Sequence, residues 1–218
     1  MNLKTLLLTS LLLCSCTRLK TGDLIFVASS SDEGMDGAIA SATASSASTP
    51  FIHVAIVEID GDGTTWIIEA TPKRGVDRHP LETFLRDNTD SSGLVPAMAA
   101  MRIKQPFDRK ACVQRAKDLC GHPYDFTFLP DNGAWYCSEL VYDCFLDRNG
   151  RHIFTAAPMN FLNDDGTCPE YWTELFGRLG IEVPQGIPGT NPQDMHSSPV
   201  LKYLYPAQTE IISLCRRK

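Results

Sequence analysis

Apolar residues along this chain fall into two kinds of run: short ones that fill both parities of a strand, and longer ones that recur every three or four positions. Thr21 to Ala28 reads as a strand entered from a turn, with β-branched and aromatic residues. Phe51 to Ile59 is apolar on both parities apart from His53 and Glu58, which predicts a strand buried on both faces. Asp60-Gly61-Asp62-Gly63 turns the chain back, and Thr64 to Ala70 is the returning strand. Residues 29–50 are rich in Ser, Ala and Thr. There Met35 to Ser45 fits a small-residue helix stopped by Pro50 or a flexible flap, and the pattern does not separate the two. Arg78 to Asp87 predicts a short helix with Pro80 in its first turn and Leu81, Phe84 and Leu85 inward. Leu94 to Ile103 contains a further strand. Pro106-Phe107-Asp108 leads into a helix to about Cys120 whose inner side is Ala111, Cys112, Ala116 and Leu119.

The next element presents a cysteine where a helix begins. Pro130-Asp131-Asn132-Gly133 is a turn cluster, after which Leu140, Val141, Cys144 and Phe145 recur at helical spacing, with a stop at Asn149-Gly150. Cys137 then lies in the first turn, where unpaired N–H groups and the helix dipole favour an anion and push a thiol towards thiolate. A cysteine that merely packs is the competing reading. Past Gly150 the pattern loosens. Thr167 is a candidate cap for a helix with Pro169 near its start and Trp172, Leu175, Phe176 and Leu179 on one face, ended by Gly180. Pro184 to Pro199 reads as a long loop, and Val200 to Tyr205 and Glu210 to Leu214 as strands or edge segments.

The hairpin carries a second chemical signal. A carboxylate at Glu69, amid Trp66, Ile67, Ile68 and Ala70, is costly unless paired, and the adjacent strand offers His53. The two share a face only if an odd number of residues lies in the loop or a bulge shifts one strand. A three-residue loop, Asp60-Gly61-Asp62, sets them directly opposite, and the odd register is the prediction. Cysteine, histidine and carboxylate are a nucleophile, a base and an orienter, with the Cys137 backbone N–H as an oxyanion donor. A core histidine satisfied by a carbonyl is the alternative for His53.

Charge and leader narrow the setting. A formal net charge of −6 over 218 residues, without a basic stripe, argues against nucleic acid. Lys4 and the apolar run Leu6 to Leu13 form a secretory leader, too short for the roughly 20 apolar residues of a membrane span. Leu13-Cys14-Ser15-Cys16 resembles a bacterial lipoprotein box with lipid on Cys16. Residues 1–20 are therefore expected to be signal and tether, and 21–218 a single domain with an extended C-terminal region from about 150. No later stretch is long and apolar enough to span a membrane, so membrane attachment is expected through the anchor only. The remaining cysteines do not make a disulfide scaffold: Cys112 and Cys120 lie about 12 Å apart if they share a helix, and Cys137 and Cys144 about 10 Å, beyond the ~7 Å reach of a bridge. A Cys168–Cys215 pair stays open. Without a CxxC, and with Cys120-Gly121-His122 too sparse for zinc, neither a metal nor another cofactor is expected.

Gly22-Asp23-Leu24-Ile25-Phe26, His53-Val54-Ala55-Ile56, Ile68-Glu69-Ala70, Pro123-Tyr124-Asp125 and Tyr136-Cys137-Ser138-Glu139-Leu140-Val141 together resemble the YiiX/YebB-like family. That family is a circularly permuted branch of the NlpC-type papain-like cysteine hydrolases, related to lecithin retinol acyltransferase. The resemblance covers roughly residues 21–148. It implies an α+β papain-like fold, with the cysteine helix packed on an antiparallel sheet. It also implies catalytic places for Cys137, His53 and Glu69, with Tyr124 and Tyr136 near the substrate. The expected function is a lipid-anchored cysteine amidase or peptidase of the bacterial cell envelope, cutting a murein-type or other small peptide through a thioester. A lipid deacylase or acyltransferase, and a non-catalytic binding lipoprotein, are the alternatives.

Overall fold

The computed structural model describes residues 18–31, 33–43, 50–90 and 92–206. Its strands and helices follow one another as β1 (Leu24–Ala28), α1 (Gly34–Thr43), β2 (Phe51–Ile59), β3 (Thr65–Thr71), β4 (Gly75–Pro80), α2 (Leu81–Asp87), β5 (Met98–Ile103) and α3 (Arg109–Asp118). Then come α4 (Cys137–Cys144), β6 (Ala157–Pro158), α5 (Glu170–Leu179), β7 (Pro188–Gly189), α6 (Pro192–His196) and β8 (Leu201–Pro206). Six strands form one antiparallel sheet in the order β4-β3-β2-β1-β5-β8, and β6 pairs with β7 alone. The α+β architecture is the expected one.

Strand β1 is central, and this explains its unbroken apolar run. Leu24 and Phe26 enter the core beneath α3, α4 and α5, while Ile25 and Val27 enter a smaller core on the other face, closed by Leu81, Phe84 and Leu85 of α2. The domain also begins earlier than residue 21. Leu19 is buried in the smaller core, Lys20 donates its backbone N–H to Asp23 at 2.7 Å, and the Arg18 carbonyl accepts from Arg102 at 2.9 Å. Asp23 is fully buried and held by both arms of Arg102 at 2.7 Å, so the Gly22-Asp23 pair serves as a structural clasp. Residues 1–17, Cys16 among them, and Glu210 to Leu214 and Cys215 lie outside the described residues.

Four expectations need correction. Residues 75–80 are a strand, so the predicted helix starts only at Leu81, with Pro80 as its extended cap. Gly75 opens that strand at φ +66, where a Cβ would stand 2.2 Å from the His122 carbonyl oxygen, so only glycine fits. The β2–β3 loop spans residues 60–64, because Ile59 pairs with Thr65. There the Asp60 carboxylate accepts from Asp62 N, Thr64 N and Trp66 Nε1 at 3.0, 2.8 and 2.8 Å, and so builds a longer turn than three residues. Thr167 is not the cap of α5; Pro169 is, and Thr167 instead bonds Asp165, while Leu179 is exposed. Within Pro184 to Pro199 the chain forms β7 and α6, the latter capped by Asn191, whose side chain accepts from Asp194 N. Met35 falls in α1, a helix and not a flap over its described length.

Candidate active site

The register settles how His53 meets Glu69. The loop holds an odd number of residues, so the two share a face, but the register has slipped by two positions from the three-residue form. Ile56 pairs with Ile68, which sets His53 diagonal to Glu69 and not directly opposite. The diagonal is still close: His53 Nε2 donates to Glu69 Oε2 at 2.6 Å. Both residues carry the parity of Ala55, Val57 and Ile67, which belong to the smaller core, whereas α4 rests on the core of Val54, Ile56 and Ile68. They meet Cys137 where β2 begins and β3 ends, at the rim of the sheet, in one cleft that all three line.

Cys137 is the first residue of α4, after Tyr136 in extended conformation. Its neighbours in sequence fix that position. Ser138 Oγ donates to the Thr190 carbonyl at 3.0 Å, which ties the helix to the C-terminal region, and Glu139 Oε2 accepts from Tyr136 N at 3.4 Å. Burial pushes the Glu139 carboxyl up to about 8, with Asp125 and Asp143 adding to the effect. The loop before the helix is braced by Asp125, which accepts from Thr127 N at 2.7 Å and Leu129 N at 3.0 Å. It includes Phe128 at φ 54, an unfavourable conformation for an aromatic residue, held by packing on Tyr136, Phe161 and Trp172. At the first helical position the Cys137 N–H has no intrahelical acceptor and points outward from the helix start.

Burial pulls the His53 imidazolium down, but Cys137 and then Glu69 outweigh it and raise the ring to about 10. With Nε2 on Glu69, Nδ1 is the nitrogen left for the sulfur. Burial likewise raises the Glu69 carboxyl, and its two imidazole donors reverse this and hold it at about 2. The second donor is His79, whose Nε2 lies 2.8 Å from Glu69 Oε1. Sequence reading passed over His79 because it was absorbed into the predicted helix. The available signal was the two-residue spacing of Asp77 and His79 after Gly75, a strand pattern without apolar alternation to announce it.

The cleft has a volume of about 560 Å³ and two characters. Met35, Ile39, Ile52 and Phe126 give it an apolar wall, and Lys73, Arg74, Asp87 and Asp90 a charged end. Tyr124 lines it, with its hydroxyl 3.8 Å from the Met35 sulfur, and Tyr171 joins it from α5. Tyr136 does not border this cleft, contrary to expectation. Its hydroxyl accepts from Thr190 N at 3.2 Å, and its ring is buried against Phe128. Asp36 of α1 also lines the cleft, and burial raises its carboxyl against the opposing pull of His53.

A cysteine at a helix start, facing a carboxylate-backed imidazole on an antiparallel sheet, defines a papain-like cysteine hydrolase with its segments permuted: histidine and acid precede the cysteine in the chain. Residues 18–205 match the family described as permuted papain-like amidase enzyme, YaeF/YiiX, C92, and the chain belongs to that family. It is a cysteine amidase or peptidase by that membership. It is 26% identical over 183 residues to the uncharacterized protein YiiX of Escherichia coli K12, covering 84% of each chain. A crystal structure described as that of the metalloprotein YiiX from Escherichia coli O157:H7 superposes with a TM-score of 0.65 at 23% identity. The match covers 86% of this chain and 97% of that one, and shows a shared fold. Among the described residues, no group of three or more His, Cys, Asp or Glu side chains is arranged to hold a metal ion.

Proposed function

We propose that this protein is a lipid-anchored cysteine hydrolase of the bacterial cell envelope. It would cut an amide or peptide bond of a murein-type or other small peptide, with Cys137 as nucleophile, His53 as base and acid, and Glu69 as orienter. The observation that carries this reading is the His53 ring, held by Glu69 at 2.6 Å and set with Cys137 in one cleft, where the thiol helps to raise its proton affinity. With His53 raised to about 10, its ring is an imidazolium at neutral pH, with a proton ready for a leaving group. The thiolate attacks the scissile carbonyl, and the Cys137 N–H steadies the oxyanion. His53 then gives its proton to the departing amine, leaving a thioester on Cys137. Neutral His53 next takes a proton from water, whose oxygen displaces the sulfur and restores the ion pair. Tyr124 borders the substrate path.

The amphipathic lining favours a small substrate with one polar and one apolar side, and the family's amidase chemistry favours an amide. The apolar wall of Met35, Ile39 and Ile52 supports a second reading, deacylation of a lipid. A panel of stem peptides and acyl esters, acid-quenched and weighed intact, separates them. The expected result is an acyl adduct on Cys137 and free amine from the peptides. Adducts from the esters alone would favour the lipid reading. Localisation is tested independently. Cys16 lies three residues before the buried Leu19, about 10 Å of extended chain, so a lipid there would hold the domain against the membrane surface. Cys16→Ser is expected to move the protein from the membrane fraction to the soluble fraction; unchanged partitioning would overturn the anchor.

A further inference from the structure

Glu69 holds two imidazoles, not one, and the second has no place in the mechanism above. His79 and Glu69 are both buried, and each nitrogen of His79 faces an oxygen: Nε2 lies 2.8 Å from Glu69 Oε1 and Nδ1 lies 3.3 Å from the Pro80 carbonyl. A carbonyl oxygen only accepts, and an ionised carboxylate only accepts. Both nitrogens must then donate, which requires two ring protons. We propose that His79 is a positioning residue carried as an imidazolium, fixing the Glu69 carboxylate and drawing off part of its charge so that His53 is not held too tightly to act as an acid. This rests on the assignment of His53 and Cys137 made above.

The surroundings agree with this assignment. Burial pulls the His79 ring down, and Glu69 outweighs that to raise it. The other charges facing it are few. Arg74, from the turn between β3 and β4, approaches Glu69 Oε1 at 4.0 Å and opposes a charged His79, but it is itself engaged by Asp77 at 3.2 Å and by Asp87 of α2. Glu69 therefore sits between two imidazoles on different oxygens, His53 on Oε2 and His79 on Oε1. Without the second cation, the full carboxylate charge falls on His53, which becomes more basic and a poorer donor to a leaving amine.

The test uses full-length protein with ¹⁵N-labelled histidine and two readouts that need no substrate. These are ring-nitrogen titration by NMR and the pH dependence of iodoacetamide labelling mapped to Cys137. In the wild type both His79 nitrogens are expected to carry protons at pH 7. His79→Gln keeps a donor on Glu69 without the charge, so the proton affinity of His53 should rise, by up to about tenfold, while Cys137 labelling at pH 7 stays close to wild type. His79→Ala removes the donor too, so Glu69 is no longer fixed and labelling should fall below that of both the wild type and His79→Gln. A neutral His79 at pH 7, or an unchanged or lowered His53 titration in His79→Gln, would overturn the proposal. If His79→Ala does not fold, the wild-type and His79→Gln titrations still decide. Failure of the underlying reading looks different: His53→Ala would then label Cys137 at the wild-type rate.

Discussion

Cys137→Ala is expected to lower turnover at least about a thousandfold while leaving the fold in place, since a nucleophile that acts as a unit with its base cannot be partly replaced. The structural cost is small. The change removes one sulfur at a helix start whose hold comes from Ser138 and Glu139, not from the thiol. Labelling gives the same answer without a substrate. Site-mapped carbamidomethylation at pH 6, where an ordinary thiol of pKa about 8.5 reacts slowly, should modify Cys137 and leave Cys120 and Cys168 largely untouched. The sign follows from His53. Its folded pKa is raised to about 10, so the imidazolium that favours the thiolate persists from acid pH up to that point and is lost above it. An alanine variant that still turns over the same peptide would remove Cys137 from the mechanism.

The parts of the site legible in the sequence were those whose chemistry conflicts with their surroundings. Glu69 stood out because a carboxylate among Ile67, Ile68 and Ala70 must have a partner, and His53 because it interrupts an apolar strand. Cys137 stood out because turn residues precede it and a helical stripe follows. The odd loop parity came through as well, since a wrong parity would have put Glu69 on the opposite face from His53. Loop length did not, because it depended on Asp60 bonding two backbone N–H groups and the Trp66 indole, a local network that spacing does not display. His79 was hidden for a related reason: β4 is an edge strand with little apolar alternation, recognisable only through its pairing with β3. The C-terminal region was the least legible. Its contribution to the site is a set of single contacts, Thr190 on Ser138 and Tyr136, and Tyr171 at the cleft, which the periodicity that marked α5 does not place.

Glu69→Gln tests whether the acid is structural as well as chemical. It leaves two buried imidazoles facing a neutral amide, and breaking a buried charge pair from one side costs about 3–5 kcal/mol. The pH dependence distinguishes this from a packing loss. Glu69 titrates near 2 in the folded protein and near 4.3 when unfolded, so its contribution is complete above the unfolded value and fades as pH falls towards 2. His53, raised to about 10 from about 6.5, contributes fully below 6.5 and loses its contribution as pH rises towards 10. The stability gap between wild type and Glu69→Gln, measured by urea unfolding, is therefore widest between about pH 4.3 and 6.5 and closes on both sides. A gap that stays constant from pH 7 to 3 would mean that the charge on Glu69 does not stabilise the site.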